Sequence, residues 1–230
     1  VLARFKRLDG FDVTFLTGTD EHGQKVEMAA SDNGVSPQLF TDEVSQNFRD
    51  LTAQMNFSND DFIRTTEKRH KLACQEIWQR LQERGHIRLG NYAGWYSVRD
   101  EAFFTETEVV DGKAPTGAPV EWVEEPSYFF NLSEWQQPLL DHYEANPDFV
   151  GPESRFNEVK SFVKGGLRDL SVSRASFKWG IPVPGDPDHV MYVWLDALTN
   201  YITASGWPTD SELGDPAKYA KLWPVDLHMV

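Results

Sequence analysis

Three adjacent polar residues, Asp20-Glu21-His22, stand where a β-branched and apolar run (residues 11–19) stops in a glycine-bounded turn. In open α/β sheets, ligands bind at the carboxyl ends of strands, and this turn has that place. A carboxylate there, Asp20, suits a cation such as an α-ammonium group held by charge-assisted hydrogen bonds. The alternative is a cap on the helical pattern that opens at Gln24 and runs to Ala30. His22 has three readings: a ligand, an acid/base group, or a buried imidazole bonded to backbone, the last being favoured. A metal on this turn is disfavoured, because adjacent turn residues rarely converge on one ion and no second ligand cluster accompanies them.

A second group lies about 175 residues later. Val190-Met191-Tyr192-Val193-Trp194-Leu195 reads as an apolar strand, and Asp196 as the cap of a helix over 197–205 that Gly206 ends. Ala197, Leu198 and Tyr201 then share a face. With Trp194 at the strand end, they could line one apolar pocket; on spacing alone, membership of the core is the commoner role. Cys74 falls on the helical stripe Cys74, Ile77, Trp78, Leu81 and reads as a small buried apolar residue without an evident partner histidine. No glycine-rich phosphate loop and no G-x-S-x-G elbow is present. These residues describe an α/β chain with a strand-end pocket for a small, partly apolar, amine-bearing ligand.

The elements that must position them follow from periodicity. Val1, Leu2, Phe5 and Leu8 have helical spacing, ended at Gly10. Residues 11–19 fit a strand buried in a parallel sheet. Ser36-Pro37 starts a helix over 37–55 with the stripe Phe40, Val44, Phe48, Leu51, Met55. Residues 61–65 form a short strand, and Thr66 can cap a helix that runs to Gly85. From Leu89, aromatic pairs between turn residues predict short strands and hairpins. Ser133 can cap a helix over 134–145, and 155–167 is helical again. Residues 170–174 read as a strand and 181–187 as an extended loop.

The 230 residues suffice for one large domain, or a domain plus an insertion. A net charge of −14 argues against a nucleic-acid surface within this stretch, without excluding nucleic acid held by other parts of a longer chain. The single cysteine excludes an intrachain disulfide and fits a reducing compartment. No apolar run reaches the about 18 residues of a membrane span, and no signal peptide is visible. The abrupt helical start and the apolar run Leu227-His228-Met229-Val230 give the expectation of an internal piece of a longer chain.

Longer motifs now carry a resemblance. Phe15-Leu16-Thr17-Gly18-Thr19-Asp20-Glu21-His22-Gly23-Gln24-Lys25 resembles the signature of methionyl-tRNA synthetases, as does Val193-Trp194-Leu195-Asp196-Ala197-Leu198-Thr199-Asn200-Tyr201. Gly94-Trp95-Tyr96-Ser97-Val98-Arg99-Asp100-Glu101-Ala102-Phe103, Val120-Glu121-Trp122 and Ser127-Tyr128-Phe129-Phe130 resemble the family's connective insertion. Asp169-Leu170-Ser171-Val172-Ser173-Arg174 and Trp179-Gly180-Ile181-Pro182-Val183-Pro184 follow in the family's order.

The resemblance implies an α/β fold: the Rossmann-type parallel sheet of a class I synthetase catalytic domain, interrupted by a small mixed β/α connective insertion. It divides the chain into 1–85 and 190–230 as parts of the catalytic domain, with 86–189 as the insertion and following helices. It implies methionine, ATP (with Mg2+) and tRNA(Met) as substrates, no membrane or obligate protein partner, and a bacterial cytoplasmic setting, with a mitochondrial one as the alternative. By position, Asp20 holds the methionine ammonium; Trp194, Ala197, Leu198 and Tyr201 enclose its side chain; Arg174 is the catalytic residue linked to activation; Glu21 and His22 support. An apolar aromatic slot suits a flexible thioether. The family's HIGH motif would precede Val1 and its KMSKS loop would follow Val230, so the expectation is that this stretch alone does not activate methionine. Many members hold zinc on cysteines at positions matching Ser97, Asp100, Ala114 and Gly117. None is a thiolate here, which implies no zinc and an insertion held by packing of Tyr96, Phe103, Trp122 and Phe129. The sister enzymes for leucine, isoleucine and valine carry a far larger insertion. A non-catalytic, synthetase-derived binding protein is the remaining alternative.

Overall fold

The computed structural model describes residues 1–229. Helix α1 (Leu2–Leu8) leads to strand β1 (Leu16–Thr19), which pairs in parallel with β2 (Asp61–Arg64) in the register Leu16↔Asp61 to Thr19↔Arg64. Gly18 is required there: a Cβ would stand 2.0 Å from the Ile63 carbonyl oxygen across the ladder. Helices α2 (Gln24–Asp32) and α3 (Pro37–Gln54) connect the two strands. Ser36 caps α3 as expected, its Oγ accepting from the Leu39 amide at 3.3 Å, with Pro37 at the first position. The stripe of α3 faces outward, with Phe48 and Met55 49% and 60% exposed, while small Thr41 and Ser45 are buried.

Helix α4 (Lys68–Glu83) starts after Glu67; Thr66 is not its cap, because its hydroxyl donates to Glu21 Oε2 at 2.5 Å. Cys74 and Trp78 of α4 are fully buried in a core with Ile87, Val172, Ile181, Val183 and Met191.

The aromatic segment is not a set of short hairpins. Strands β3 (Ile87–Ser97) and β5 (Glu121–Phe130) are 11 and 10 residues long, in an antiparallel sheet of order β4-β3-β5-β6 with β4 (Ala102–Phe104) and β6 (Leu170–Ser171). Gly94 and Pro126 look like breaks in the sequence, yet both lie inside strands; the Tyr92 ring occupies the space beside Gly94, 2.9 Å from where a Cβ would be. A 3₁₀ turn (Leu132–Trp135) precedes helices α5 (Gln136–Ala145) and α6 (Glu153–Lys164). Ser133 caps neither: its hydroxyl donates to Asp169 at 2.6 Å.

The expected strand 170–174 is split between two sheets, β6 and then β7 (Ser173–Arg174). The expected loop 181–187 holds β8 (Pro182–Val183), paired antiparallel with β9 (Asp186–Met191) in a sheet of order β7-β9-β8. Strand β9 ends at Met191, and helix α7 (Val193–Ala204) begins four residues earlier than the sequence suggested. Trp194 is therefore on a helix, and Asp196 lies in its first turn instead of capping it. The apolar run conceals this boundary, because the buried face of α7 carries the polar Asp196, Thr199 and Thr203 beside Ala197 and Ala204. Helix α8 (Pro216–Leu222) is capped by Asp215. Residues 227–229 form no strand, and Val230 lies outside the described residues. Among the described residues, no helix is long and apolar enough to cross a membrane.

Candidate functional site

Extended backbone alternates its side chains, and at the end of β1 this sends Asp20 outward and Glu21 inward. Asp20 is exposed, yet the chain packed around it partly desolvates its carboxyl. That desolvation, and then the negative charges of Asp196 and Glu21, raise its carboxyl above the ordinary value, against smaller lowering by His70 and His22. Asp20 does not cap α2, whose N-cap is Gly23 with no side-chain hydrogen bond.

Glu21 is buried and accepts four hydrogen bonds: Arg64 Nε at 2.7 Å and Nη2 at 2.9 Å, Thr19 Oγ1 at 2.7 Å and Thr66 Oγ1 at 2.5 Å. Its amide donates to Thr65 Oγ1 at 2.9 Å. Arg64 also reaches Asp42 at 2.6 Å, and its charged form is strengthened by both carboxylates.

His22 is buried, but its partner is not backbone. Its Nδ1 lies 2.6 Å from Asp196 Oδ2, and His70 Nε2 lies 2.6 Å from Asp196 Oδ1. Burial pushes the Asp196 carboxyl up, and the hydrogen bonds from the two imidazoles outweigh it, leaving the group below the usual carboxylate range. Cys74 Sγ is 3.2 Å from His70 Nε2, so the cysteine does have a partner histidine, one helical turn earlier on α4. Burial, then the Asp196 charge, drive the Cys74 thiol well above its ordinary value, which makes it inert.

His70, Cys74 and Asp196 offer atoms that a metal could use, all within 4.8 Å of one another. Two ligands on one zinc stand more than about 3 Å apart. The 2.6 Å contact of His70 with Asp196 is a hydrogen bond instead.

Trp179 clamps the turn from outside. Its Nε1 donates to the Glu21 carbonyl at 2.6 Å, and its carbonyl accepts from the Gly23 amide at 3.1 Å. Gly23 has φ +112°, and a Cβ there would meet Glu101 Oε1 at 3.1 Å. Glu101, between β3 and β4, faces Lys25 at 4.0 Å, and its carbonyl accepts from the Tyr192 hydroxyl. The antiparallel segment thus touches both the turn and the start of α7.

On α7, Ala197 is buried, Tyr201 is half-buried with its ring 4.0 Å from that of His228, and Trp194 and Leu198 are each 55% exposed. The His22–Asp196 contact brings this helix to the Asp20 turn, as expected. The described residues leave its outer face open and do not close it into a slot. Arg174 is elsewhere. It is buried, with its guanidinium 4.0 Å from the Tyr192 ring centre, 4.8 Å from Phe103 and 5.7 Å from Tyr96. Its Nη1 donates to Ser171 Oγ and the Ser173 carbonyl, and its Nε has no partner among the described residues. Burial pushes Tyr96 up to about 12.

The four positions implied for zinc come together as a hydrogen-bonded loop. Ser97 Oγ accepts from the Asp100 amide at 3.2 Å, the Gly117 amide donates to Ala114 at 2.8 Å, and Thr116 donates to Asp100. Tyr92, Phe103 and Tyr96 pack together, with Phe129 stacked beyond Tyr92 at 6.0 Å. Trp122 belongs to the other face, against Trp95 at 5.4 Å, and is 52% exposed.

Sequence reasoning missed His70, Trp179 and Glu101, and gave Asp196 the wrong role. His70 had one legible signal, its i,i+4 spacing to Cys74.

A parallel strand pair with a carboxylate at its carboxyl end, interrupted by an antiparallel sheet, is the Rossmann-type catalytic architecture of a class I synthetase. The family of tRNA synthetases class I (M) matches residues 1–119 and 114–230, and the chain belongs to that family. It is 64% identical to the methionine–tRNA ligase of Rickettsia conorii over 231 residues, covering 100% of this chain and 44% of that protein. Its identity to the methionine–tRNA ligase of Rhizobium meliloti is 57%, over 100% of this chain and 45% of that protein. The solved Mycobacterium tuberculosis methionyl-tRNA synthetase bound by methionyl-adenylate superposes with a TM-score of 0.91 at 56% identity, over 99% of this chain and 45% of that one. The apo form of that synthetase gives 0.80. The chain spans less than half the length of these relatives.

Proposed function

We propose that this chain is part of an enzyme that joins methionine to ATP, releasing pyrophosphate, and passes the methionyl group from the adenylate to tRNA(Met). The observation that carries this is the placement of Asp20 beside α7, whose outer face presents Trp194 and Leu198. Asp20 receives the α-ammonium group, and Trp194, Ala197, Leu198 and Tyr201 take up the thioether chain. Glu21 and His22 hold the turn. An ammonium group beside Asp20 opposes the crowding that raises its pKa, so binding favours the ionised carboxylate. Arg174 serves the activation step, with its Nε, which has no partner among the described residues, as the donor for an anionic group. Mg2+ accompanies ATP, and the setting is cytoplasmic.

The test is methionine-dependent pyrophosphate exchange in the full-length protein. Asp20→Ala lowers kcat/KM at least a hundredfold, and Trp194→Ala raises the methionine KM more than the ATP KM. Near-normal exchange by Asp20→Ala removes it from the amino-acid site. Arg174→Ala lowers kcat while methionine binding holds; the reverse pattern makes Arg174 structural. Residues 1–230 alone are expected to be inactive and, at −14 net charge, to show no tRNA affinity at physiological salt. The 97–117 loop is assigned no zinc, since its matching side chains offer one carboxylate and no thiolate; one equivalent of tightly bound zinc overturns that.

A further inference from the structure

Asp196 is the meeting point of three chain segments: the turn after β1 through His22, α4 through His70, and α7 itself. All three side chains are at most 5% exposed. Oδ2 accepts from His22 and Oδ1 from His70, each at 2.6 Å, and the Cys74 thiol adds a longer contact to Oδ1 at 3.9 Å, so both carboxylate oxygens are engaged. A buried carboxylate with a partner missing costs far more than an exposed one, so these bonds resist loosening. Asp196, Thr199 and Thr203 recur three and four residues apart and are the polar residues of the buried face of α7, flanked by Ala197 and Ala204. At about 100° per residue, Trp194, Leu198 and Tyr201 fall on the opposite side of the helix. The rotation that brings Asp196 between the two imidazoles therefore aims Trp194 and Leu198 outward, on the helix tied to the residue two after Asp20.

We propose that His22 and His70 are positioning residues for amino-acid recognition: by donating to the two oxygens of Asp196, they fix the distance and rotation of α7 relative to Asp20. This rests on the assignment of methionine to Asp20 and Trp194. Neither histidine touches the ligand; both act through Asp196.

Length-matched amides give the test in pyrophosphate exchange by the full-length protein. Glutamine places Nε2 where His70 has Nε2, and asparagine places Nδ2 where His22 has Nδ1. His70→Gln and His22→Asn should keep the methionine KM within threefold of wild type. His70→Asn carries the same amide but stops short of Asp196, and His22→Ala has no donor. Both should raise the methionine KM at least tenfold, with the ATP KM within twofold. A merely structural role lowers the active fraction and leaves both KM values alone, which overturns the proposal. Equal methionine KM for His70→Gln and His70→Asn overturns it as well. Asp20→Ala and Trp194→Ala separate the two levels. If they leave the methionine KM unchanged, the assignment of the ligand fails. If they raise it while His70→Asn and His22→Ala do not, only the clamp fails.

Discussion

Arg64→Ala isolates the ion pair beneath the Asp20 turn. Glu21 has 3% side-chain exposure and Arg64 17%, so water screens the pair poorly. Arg64 supplies two of the four hydrogen bonds to Glu21, at 2.7 and 2.9 Å; the other two come from the hydroxyls of Thr19 and Thr66. Hydrogen bonds to charged groups contribute about 1.5–3 kcal/mol each, and removing one partner of a buried pair costs about 3–5 kcal/mol. Arg64→Ala should therefore cost about 3–5 kcal/mol. Asp42→Ala removes the other partner of Arg64, but Asp42 is 46% exposed, and solvent limits that loss to about 1 kcal/mol or less. At about 2–4 °C per kcal/mol for 150–250 residues, the melting shifts are about 6–20 °C and below about 4 °C. Urea titration and calorimetry of both variants read these values. Glu21→Gln on the Arg64→Ala background should recover about 1 kcal/mol or more, because a neutral amide costs less to bury than a charge. If Arg64→Ala and Asp42→Ala cost the same, or if the double variant is no more stable than Arg64→Ala, the buried-pair argument is wrong.

Gly18→Ala should cost at least the upper end of the about 1–3 kcal/mol of overpacking, since its Cβ would meet backbone at 2.0 Å; an unchanged urea midpoint would contradict the register of β1 and β2. Cys74 should resist a thiol reagent at pH 8 in the native protein and react within seconds in denaturant, and rapid native labelling would refute its burial. Asp20 predicts a pH effect of definite sign. Its folded pKa lies above the ordinary 3.8, so the folded state holds its proton more tightly, and the stabilisation this gives is present below 3.8 and lost as pH rises through the raised value. The stability of wild type relative to Asp20→Asn should therefore increase as pH falls through that window in the absence of ligand; a decrease would show that its carboxyl is lowered.

Legibility divided along the burial of polar groups. The helices α1, α2 and α3 and the cap at Ser36 follow local rules of spacing and capping, and the sequence alone places them; the strand expected over 11–19 forms only at Leu16–Thr19, where β2 offers a partner, and none of its residues is buried. The burial of Cys74 and Trp78 followed from their helical stripe. Strands β3 and β5 look shorter in the sequence than they are, because Gly94 and Pro126 mark turns in isolation; pairing over ten residues overrides them. Thr66 and Ser133 look like caps, because hydroxyls before a helical run usually are, but each is taken by a distant carboxylate, Glu21 and Asp169. Local pattern carries no information about partners that far along the chain.

Asp196 shows the same limit at the site. A carboxylate after an apolar run has a common local explanation, a cap, and its actual partners lie 174 and 126 residues away. Yet the face that Trp194, Leu198 and Tyr201 share does not depend on that role. The local reading put the outer residues of α7 on one face, and the long-range bonds of the inner face decide where that face points. An apolar inner face would fix the depth of α7 in the core but hold its rotation weakly, since hydrophobic contact is non-directional. Two hydrogen bonds to one carboxylate are directional; one joins α7 to the turn that carries Asp20 and the other joins it to α4. Under the proposed assignment of methionine to Asp20 and α7, an amine and an apolar tail at a set separation require those two elements to be held in register. That requirement gives a physical reason for a charged residue at this position in the interior of the chain.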